Sequence, residues 1–436
     1  MDHARRMTAR ALAHAMLAGG RDEAGLAARM AVCLSDRPPW LAALAQAMAR
    51  VPGEVWQRLD VPALAARVEA HDGFAEAWFS DRRPEARHWL LRSPETLAPA
   101  LAPLERPHWP TVGALARGLG LTPAGLWRLT LPVDWQRRRP LAQQHYRQAL
   151  VPRRSGGWRL LEVPEPHLRA VQRRLLTQLL NDLPPHAAAF GFTRGRSVVQ
   201  HAALHAGQGR VLRFDLQDFF STVHAGRIHA LFKALGYSTA VARALTALCT
   251  TATPDVWLRK ELRLGWPQRQ RLRDPHLPQG APTSPALANL CAFALDARLS
   301  GLAERFGARY SRYADDLVIS GPASLPVRAV AAWVAGIAED EGFVIHPRKT
   351  RSLGVAQRQS VCGIVVNRHP NLPRDAFDRL KATLHRCVLD GPASQNREGH
   401  ADWRGHLHGR VAWAAQLNAA RAEKLKALLA RIDWQR

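Results

Sequence analysis

Two adjacent carboxylates, Asp315 and Asp316, sit between β-prone runs: Tyr310 to Tyr313 before them and Leu317 to Ile319 after. This pattern predicts a β-hairpin with Ala314-Asp315-Asp316 at or near its turn. Neighbouring strand residues point to opposite faces, yet at a tight turn both carboxylates can approach one cation. Taken alone, an Asp-Asp pair is an exposed polar turn. A third carboxylate, far upstream, is what constrains the chain. Val211-Leu212-Arg213-Phe214-Asp215-Leu216 reads as a buried strand ending in Asp215, and such a carboxylate is costly to bury unless something cationic holds it. Asp218, just beyond, reads as the cap of a following helix.

Three more blocks surround these sites. Leu277-Pro278-Gln279-Gly280-Ala281-Pro282-Thr283-Ser284-Pro285 is a rigid Gly/Pro turn, expected to lead into a helix from about Ala286 to Leu299. Residues 146–163 contain two β-prone runs around Ser155-Gly156-Gly157, a hairpin signal, with Arg147, Arg153, Arg154 and Arg159 along it. A basic hairpin can clamp a triphosphate or a nucleic-acid backbone; a solvated hairpin would look the same. A helix is expected from about Pro166 to Asn181. Phe190-Gly191-Phe192-Thr193-Arg194-Gly195-Arg196-Ser197 then forms a loop whose amides and two guanidinium groups suit phosphate.

Composition bounds the partners. The chain has 436 residues, 47% of them apolar, and a net charge of +25 from 61 Lys plus Arg against 36 Asp plus Glu. That length suggests roughly two or three domains. The charge favours a polyanion, most simply nucleic acid, although a general Arg and Ala bias would also produce it. The five cysteines are dispersed and form no CxxC pair, which disfavours a zinc ribbon and suits a reducing, cytoplasmic setting. His385, Cys387, His400, His406 and His408 match no metal-ligand spacing. No apolar run reaches the roughly 18–20 residues of a membrane span, and the Arg-rich start reads as an ordinary first helix.

Residues 1 to 105 read as helix after helix, broken at Arg37-Pro38-Pro39, Val51-Pro52-Gly53 and Arg83-Pro84. A scaffolding bundle is the plain reading and an RNA- or partner-docking domain the sharper one. Thr111 to Leu129 reads as two short helices, an α-hairpin rather than a DNA-binding helix-turn-helix.

In order along the chain, FDLQDFF (214–220), LPQGAPTSP (277–285), YADD (313–316), GFVIHPRKTR (342–351) and VCGIVVN (361–367) resemble the five palm motifs of reverse transcriptases. The SGGWRLLEVP hairpin and the GFTRGRS loop resemble the fingers motifs of the same family. The likeness runs from about residue 110 to 430 and is nearest to the bacterial retron type. Retron enzymes carry Asn-Ala-x-x-His before the first palm motif, where this chain has His201-Ala202-Ala203-Leu204-His205. They carry Val-Thr-Gly in the fifth, where it has Val361-Cys362-Gly363. Group II intron, diversity-generating and other phage-defence reverse transcriptases share the remaining motifs. Without a maturase- or endonuclease-like segment after the thumb, an intron-encoded protein is the less expected of these. A catalytically inactive RNA-binding protein of the same fold is the rival from another class.

The resemblance implies an α/β (α+β palm) right-hand fold: an all-helical extension at 1–105, fingers at 106–210, palm at 211–371 and a helical thumb at 372–436. His408-Gly409-Arg410 would lead into a thumb helix. It also implies RNA-directed DNA synthesis with two Mg²⁺ held by Asp215, Asp315, Asp316 and the carbonyl of Leu216. Phe220 would lie under the sugar and exclude a 2′-hydroxyl, leaving Phe219 for the core. Gln279 would touch the incoming dNTP, Arg159 its triphosphate and Lys349 the pyrophosphate. Tyr313 would lie near the primer terminus or template, and Arg194 and Arg196 would contact nucleic acid. The implied partners are a cognate structured noncoding RNA as template and primer, an RNA–DNA product and an effector protein.

Overall fold

A computed structural model describes residues 2–80, 83–87, 106–152, 156–261 and 263–435. Arg153, Arg154 and Ser155 at the predicted hairpin tip, and 88–105 of the predicted helical extension, lie outside the described residues. The chain divides into two compact units, one of 1–104, 108–123 and 229–245, the other of 105–107, 124–228 and 246–436.

In the first unit, the first six helices among the described residues run Asp2–Leu17, Glu23–Leu34, Trp40–Ala49, Gly53–Arg58, Val61–Glu69 and Asp72–Trp78, and Val112–Gly118 follows. Asp22 and Asp60 cap two of them, accepting from the amides of Gly25 at 2.7 Å and Ala63 at 2.9 Å. Each such cap is worth about 1 kcal/mol. Apolar residues at helical spacing (Leu12, Met16, Leu26, Met30, Leu44, Leu64, Val68 and Phe74) build its core. Phe74 meets Trp40 edge-on, with ring centroids 5.6 Å apart.

The second unit holds every strand among the described residues. β1 (Tyr146–Pro152) and β2 (Trp158–Pro164) form an antiparallel hairpin. β3 (Arg210–Asp215), β4 (Arg309–Tyr313), β5 (Asp316–Gly321) and β6 (Arg351–Gly354) form an antiparallel sheet in the order β4-β5-β3-β6. Leu317, Val318, Ile319 and Ser320 are all buried, as suits an inner strand covered on both faces. Each fully buried Leu or Ile contributes about 1.5–3 kcal/mol. β7 (Ser360–Val361) and β8 (Ile364–Val365) make a small hairpin. Helices Arg374–Asp390, Trp403–Leu417 and Ala419–Ala430 close around their own core of Phe377, Leu384, Leu407, Val411 and Leu425.

Three local expectations change. Asp218 is not a cap: it sits in a turn at φ 49°, pairs with Arg271, and the next helix begins only at Ala225. The helix expected over 286–299 is two, Ser284–Cys291 and Phe293–Arg305, bent by 50°. His408-Gly409-Arg410 lies inside the helix Trp403–Leu417 instead of preceding it. His400 and His406 stack on each other at 4.0 Å and on Trp403, while Cys387 is buried. No single helix among the described residues is long and apolar enough to cross a membrane.

Candidate active site

Strand register brings the distant carboxylates together. Asp215, the last residue of β3, pairs across the ladder with Asp316, the first of β5. Residues directly opposite in an antiparallel pair share a face, so two like charges stand side by side. Ala314 and Asp315 form the turn between β4 and β5, with Ala314 at φ 57°. The amide of Leu216 donates to the carbonyl of Asp315 at 2.8 Å, which ties the end of β3 to this turn.

The electrostatics follow from that crowding. Burial, then the charge of Asp215, raises the Asp315 carboxyl above its ordinary range. Burial pushes Asp316 up to about 6, with Arg213 opposing and Asp315 and Asp215 adding to it. Lys349 answers the charge directly: its Nζ donates to both oxygens of Asp215, at 2.8 and 2.9 Å. Arg213 approaches Asp316 at 3.8 Å. Three carboxylates crowded at the ends of two paired inner strands, two of them resisting ionisation, are donors suited to a hard divalent cation. Among the described residues, however, no three acidic, His or Cys side chains close around a single point as they stand.

A buried polar layer supports the turn. Arg312, fully enclosed, forms a two-pronged ion pair with Asp296 at 2.8 and 2.6 Å. Its other arm reaches Asn289 at 2.9 Å and the carbonyl of Ala314 at 3.1 Å. Tyr310 donates to Asp296 at 2.8 Å. Burial lowers the Arg312 pKa, but its bonds to Asp296 outweigh that and hold it charged. Gly191 lies against the same turn, where an added Cβ would come within 2.5 Å of the Ala314 amide nitrogen. Sequence reasoning missed this layer. An Arg inside a buried strand was its one visible signal, and its partner Asp296 lies on a different element.

A cleft of about 170 Å³ opens beside the carboxylates. Arg159, Phe220, Gln279 and Lys349 line it, together with Asp215, Leu216 and Asp315. Asp316 stands next to Asp315, at the start of the inner strand β5. Phe219 is buried against Phe343, with ring centroids 5.7 Å apart, while Phe220 stays half-buried and faces the cleft near Phe192. Tyr313 is half-buried against His201. Arg194 is exposed. Arg196 is engaged locally, bonding the carbonyl of Ala187 and lying 4.6 Å over Phe190.

The two departures from the retron pattern touch each other: Cys362 Sγ lies 3.6 Å from His201 Nδ1. Burial lowers His201 to about 4 and His205 to about 3, so both rings are neutral. His205 bonds Ser320 at 2.7 Å and Ser311 at 2.6 Å, joining its helix to β5 and β4.

A second buried pair, also unforeseen, links the cleft walls. Glu162 on β2 accepts from His276 at 2.8 Å and from Thr253 at 2.7 Å. Its amide donates to the carbonyl of Gln279 at 2.9 Å. Burial alone would lower the His276 pKa, but the Glu162 charge and hydrogen bonds to Glu162 and Asp274 outweigh it, and the net shift is upward.

Comparison with known proteins fits this geometry. Residues 151–365 match the family described as reverse transcriptase (RNA-dependent DNA polymerase). The chain is 38% identical over 337 residues to the retron Mx65 reverse transcriptase of Myxococcus xanthus, covering 77% of this chain and 75% of that one. It is 32% identical over 406 residues to the retron Mx162 enzyme of the same organism, covering 89% and 78%. The retron Ec86 reverse transcriptase of Escherichia coli is 30% identical over 257 residues, covering 58% and 73%. With its acidic residues gathered at the ends of two paired inner strands, the chain belongs to the bacterial retron-type reverse transcriptases and is an RNA-directed DNA polymerase.

Proposed function

We propose that this enzyme copies a cognate structured noncoding RNA into single-stranded DNA, starting from a hydroxyl of that RNA and leaving a branched RNA–DNA product. The observation that carries the reading is the direct pairing of Asp215 with Asp316 beside Asp315 and Lys349. Asp215, Asp315, Asp316 and the carbonyl of Leu216 are the groups to hold two Mg²⁺ ions. When bound, Mg²⁺ supplies charge neutralisation at the attacking 3′-oxygen and the leaving pyrophosphate.

The chain's own residues position the reactants. Arg159 faces the triphosphate, Gln279 the incoming nucleotide, and Phe220 blocks space for a 2′-hydroxyl. Lys349, now on Asp215, is the nearest cation to neutralise or protonate pyrophosphate. Tyr313 orients the primer terminus, while Arg194 and Arg196 carry nucleic acid along the loop. We assign fingers to 106–210, palm to 211–371, thumb to 372–436 and a helical extension to 1–105. By likeness to the retron enzymes, we place the protein in the cytoplasm, in an antiphage system with an effector protein.

Purification from the native host, followed by separate RNase and DNase treatment of the bound nucleic acid, tests the reading. A short single-stranded DNA joined to RNA is expected. DNA joined to protein, or no bound DNA, would contradict it.

A further inference from the structure

The segment just before the Leu277–Pro285 turn contains a short helix, Trp266–Arg273, of which only Leu272 is buried. A helix so polar all round is not held in place by an apolar stripe, and its outer face is free to meet something else. Gln268 and Leu272 line the catalytic cleft. Other side chains of the same helix line a separate groove of about 190 Å³, in which Trp266, Arg269 and Arg273 meet Arg259 and Asp255.

The groove pairs an aromatic surface with surplus positive charge. Trp266 is 66% exposed, an unusual position for so large an apolar ring. Asp255, the one acid of the groove, is paired with Arg273 at 3.2 Å. Among the described residues no carboxylate stands within ion-pair distance of Arg259 or Arg269. The neighbouring Arg263 is held elsewhere, bonded to Glu261 and 4.6 Å over Trp158 on β2. Two unpaired guanidinium groups beside an open indole complement a single nucleic-acid strand: phosphates on the cations, a base on the ring. A buried duplex would hide its base faces and leave Trp266 without a stacking partner.

We propose that this groove is a second nucleic-acid site, taking the unpaired template strand on its way to the catalytic cleft. A helix is about 10 Å across, so a strand on the outer face of Trp266–Arg273 lies within a few nucleotides of the cleft on the inner face. The site holds the template without reading its sequence, because every base offers a face to stack and every phosphate the same charge.

The test uses the full chain and fluorescein-labelled primer–template duplexes, either blunt or with an unpaired template extension of about six nucleotides. Binding is measured by anisotropy between about 50 and 200 mM salt. Trp266→Ala should weaken binding of the extended duplex about fivefold or more and leave the blunt duplex unchanged, while Trp266→Phe retains most of the affinity. Arg259→Gln with Arg269→Gln should reduce the salt slope on the extended duplex by about 1.4, or 0.7 per contact on a single strand. Equal losses on both duplexes, or no loss on either with an unchanged melting temperature, would overturn the proposal. The second result would leave the groove to a protein partner.

Discussion

His276 donates from Nε2 to Glu162 Oε2 at 2.8 Å and from Nδ1 to the carbonyl of Asp274 at 2.6 Å, inside the protein. An acceptor faces each ring nitrogen, which favours the protonated ring and a sealed ion pair and agrees with the upward shift of its pKa. Through the Glu162 amide on the Gln279 carbonyl, the pair fixes β2 to the turn that lines the cleft.

Breaking one half of a sealed pair leaves the other charge uncompensated, at a cost of about 3–5 kcal/mol. Glu162→Gln should therefore lower the unfolding free energy by that order and raise the KM for dNTP more than it lowers kcat. The pH dependence has a definite sign. Because the folded pKa of His276 is raised above 6.5, its stabilisation is complete below that value and fades as pH rises through the folded value. Denaturant titrations of wild type across this range should show the fade, and Glu162→Gln should not.

Asp316 stores strain of the opposite kind, a carboxylate kept where it resists ionisation. Its folded pKa of about 6 stands above the ordinary 3.8, so wild type loses stability as pH rises through that window. Asp316→Asn should be more stable than wild type at pH 8 in chelator-treated buffer, by about 1 kcal/mol after allowance for solvent screening. The gain should shrink toward pH 4. Thermal melts at both pH values decide it, and a gain independent of pH would count against the carboxylate as its source.

Gly191 has no room for a side chain. Gly191→Ala would drive a Cβ against the Ala314 backbone, which must move the Asp315 turn. A loss of about 1–3 kcal/mol is expected, with a fall in kcat exceeding any change in primer–template affinity. Unfolding curves and single-turnover kinetics measure the two effects separately.

Phe220 lies open to the cleft while Phe219 is committed to the core. Phe220→Ala should raise the efficiency of rNTP relative to dNTP incorporation by about 10–100-fold without unfolding the protein. Unchanged rejection of rNTP would remove Phe220 from the sugar-gating role.

The three carboxylates of the candidate site were legible because their chemistry is written locally. Asp215 ends one short apolar run, and Asp315 and Asp316 stand directly before another, the mark of buried strands. The supporting layer was not. Nothing near Arg312 names Asp296 or Asn289, and nothing near Glu162 names His276, because those pairings exist only after helices and strands pack. Asp218 misled for a related reason: a cap needs the helix to begin at once, whereas its own left-handed φ and the pull of Arg271 extend the turn. The division of Phe219 from Phe220 could be read, since one of two adjacent rings must face each way.

Primer extension on an RNA template, with dNTPs and Mg²⁺, tests the central claim most directly when Asp315→Ala is measured beside wild type for extension and RNA affinity. Wild type should extend the primer, and the variant should lose extension while keeping its affinity for RNA. Extension by Asp315→Ala at the wild-type rate, or none by wild type on its own RNA, would contradict the assignment of this carboxylate cluster as the polymerase centre.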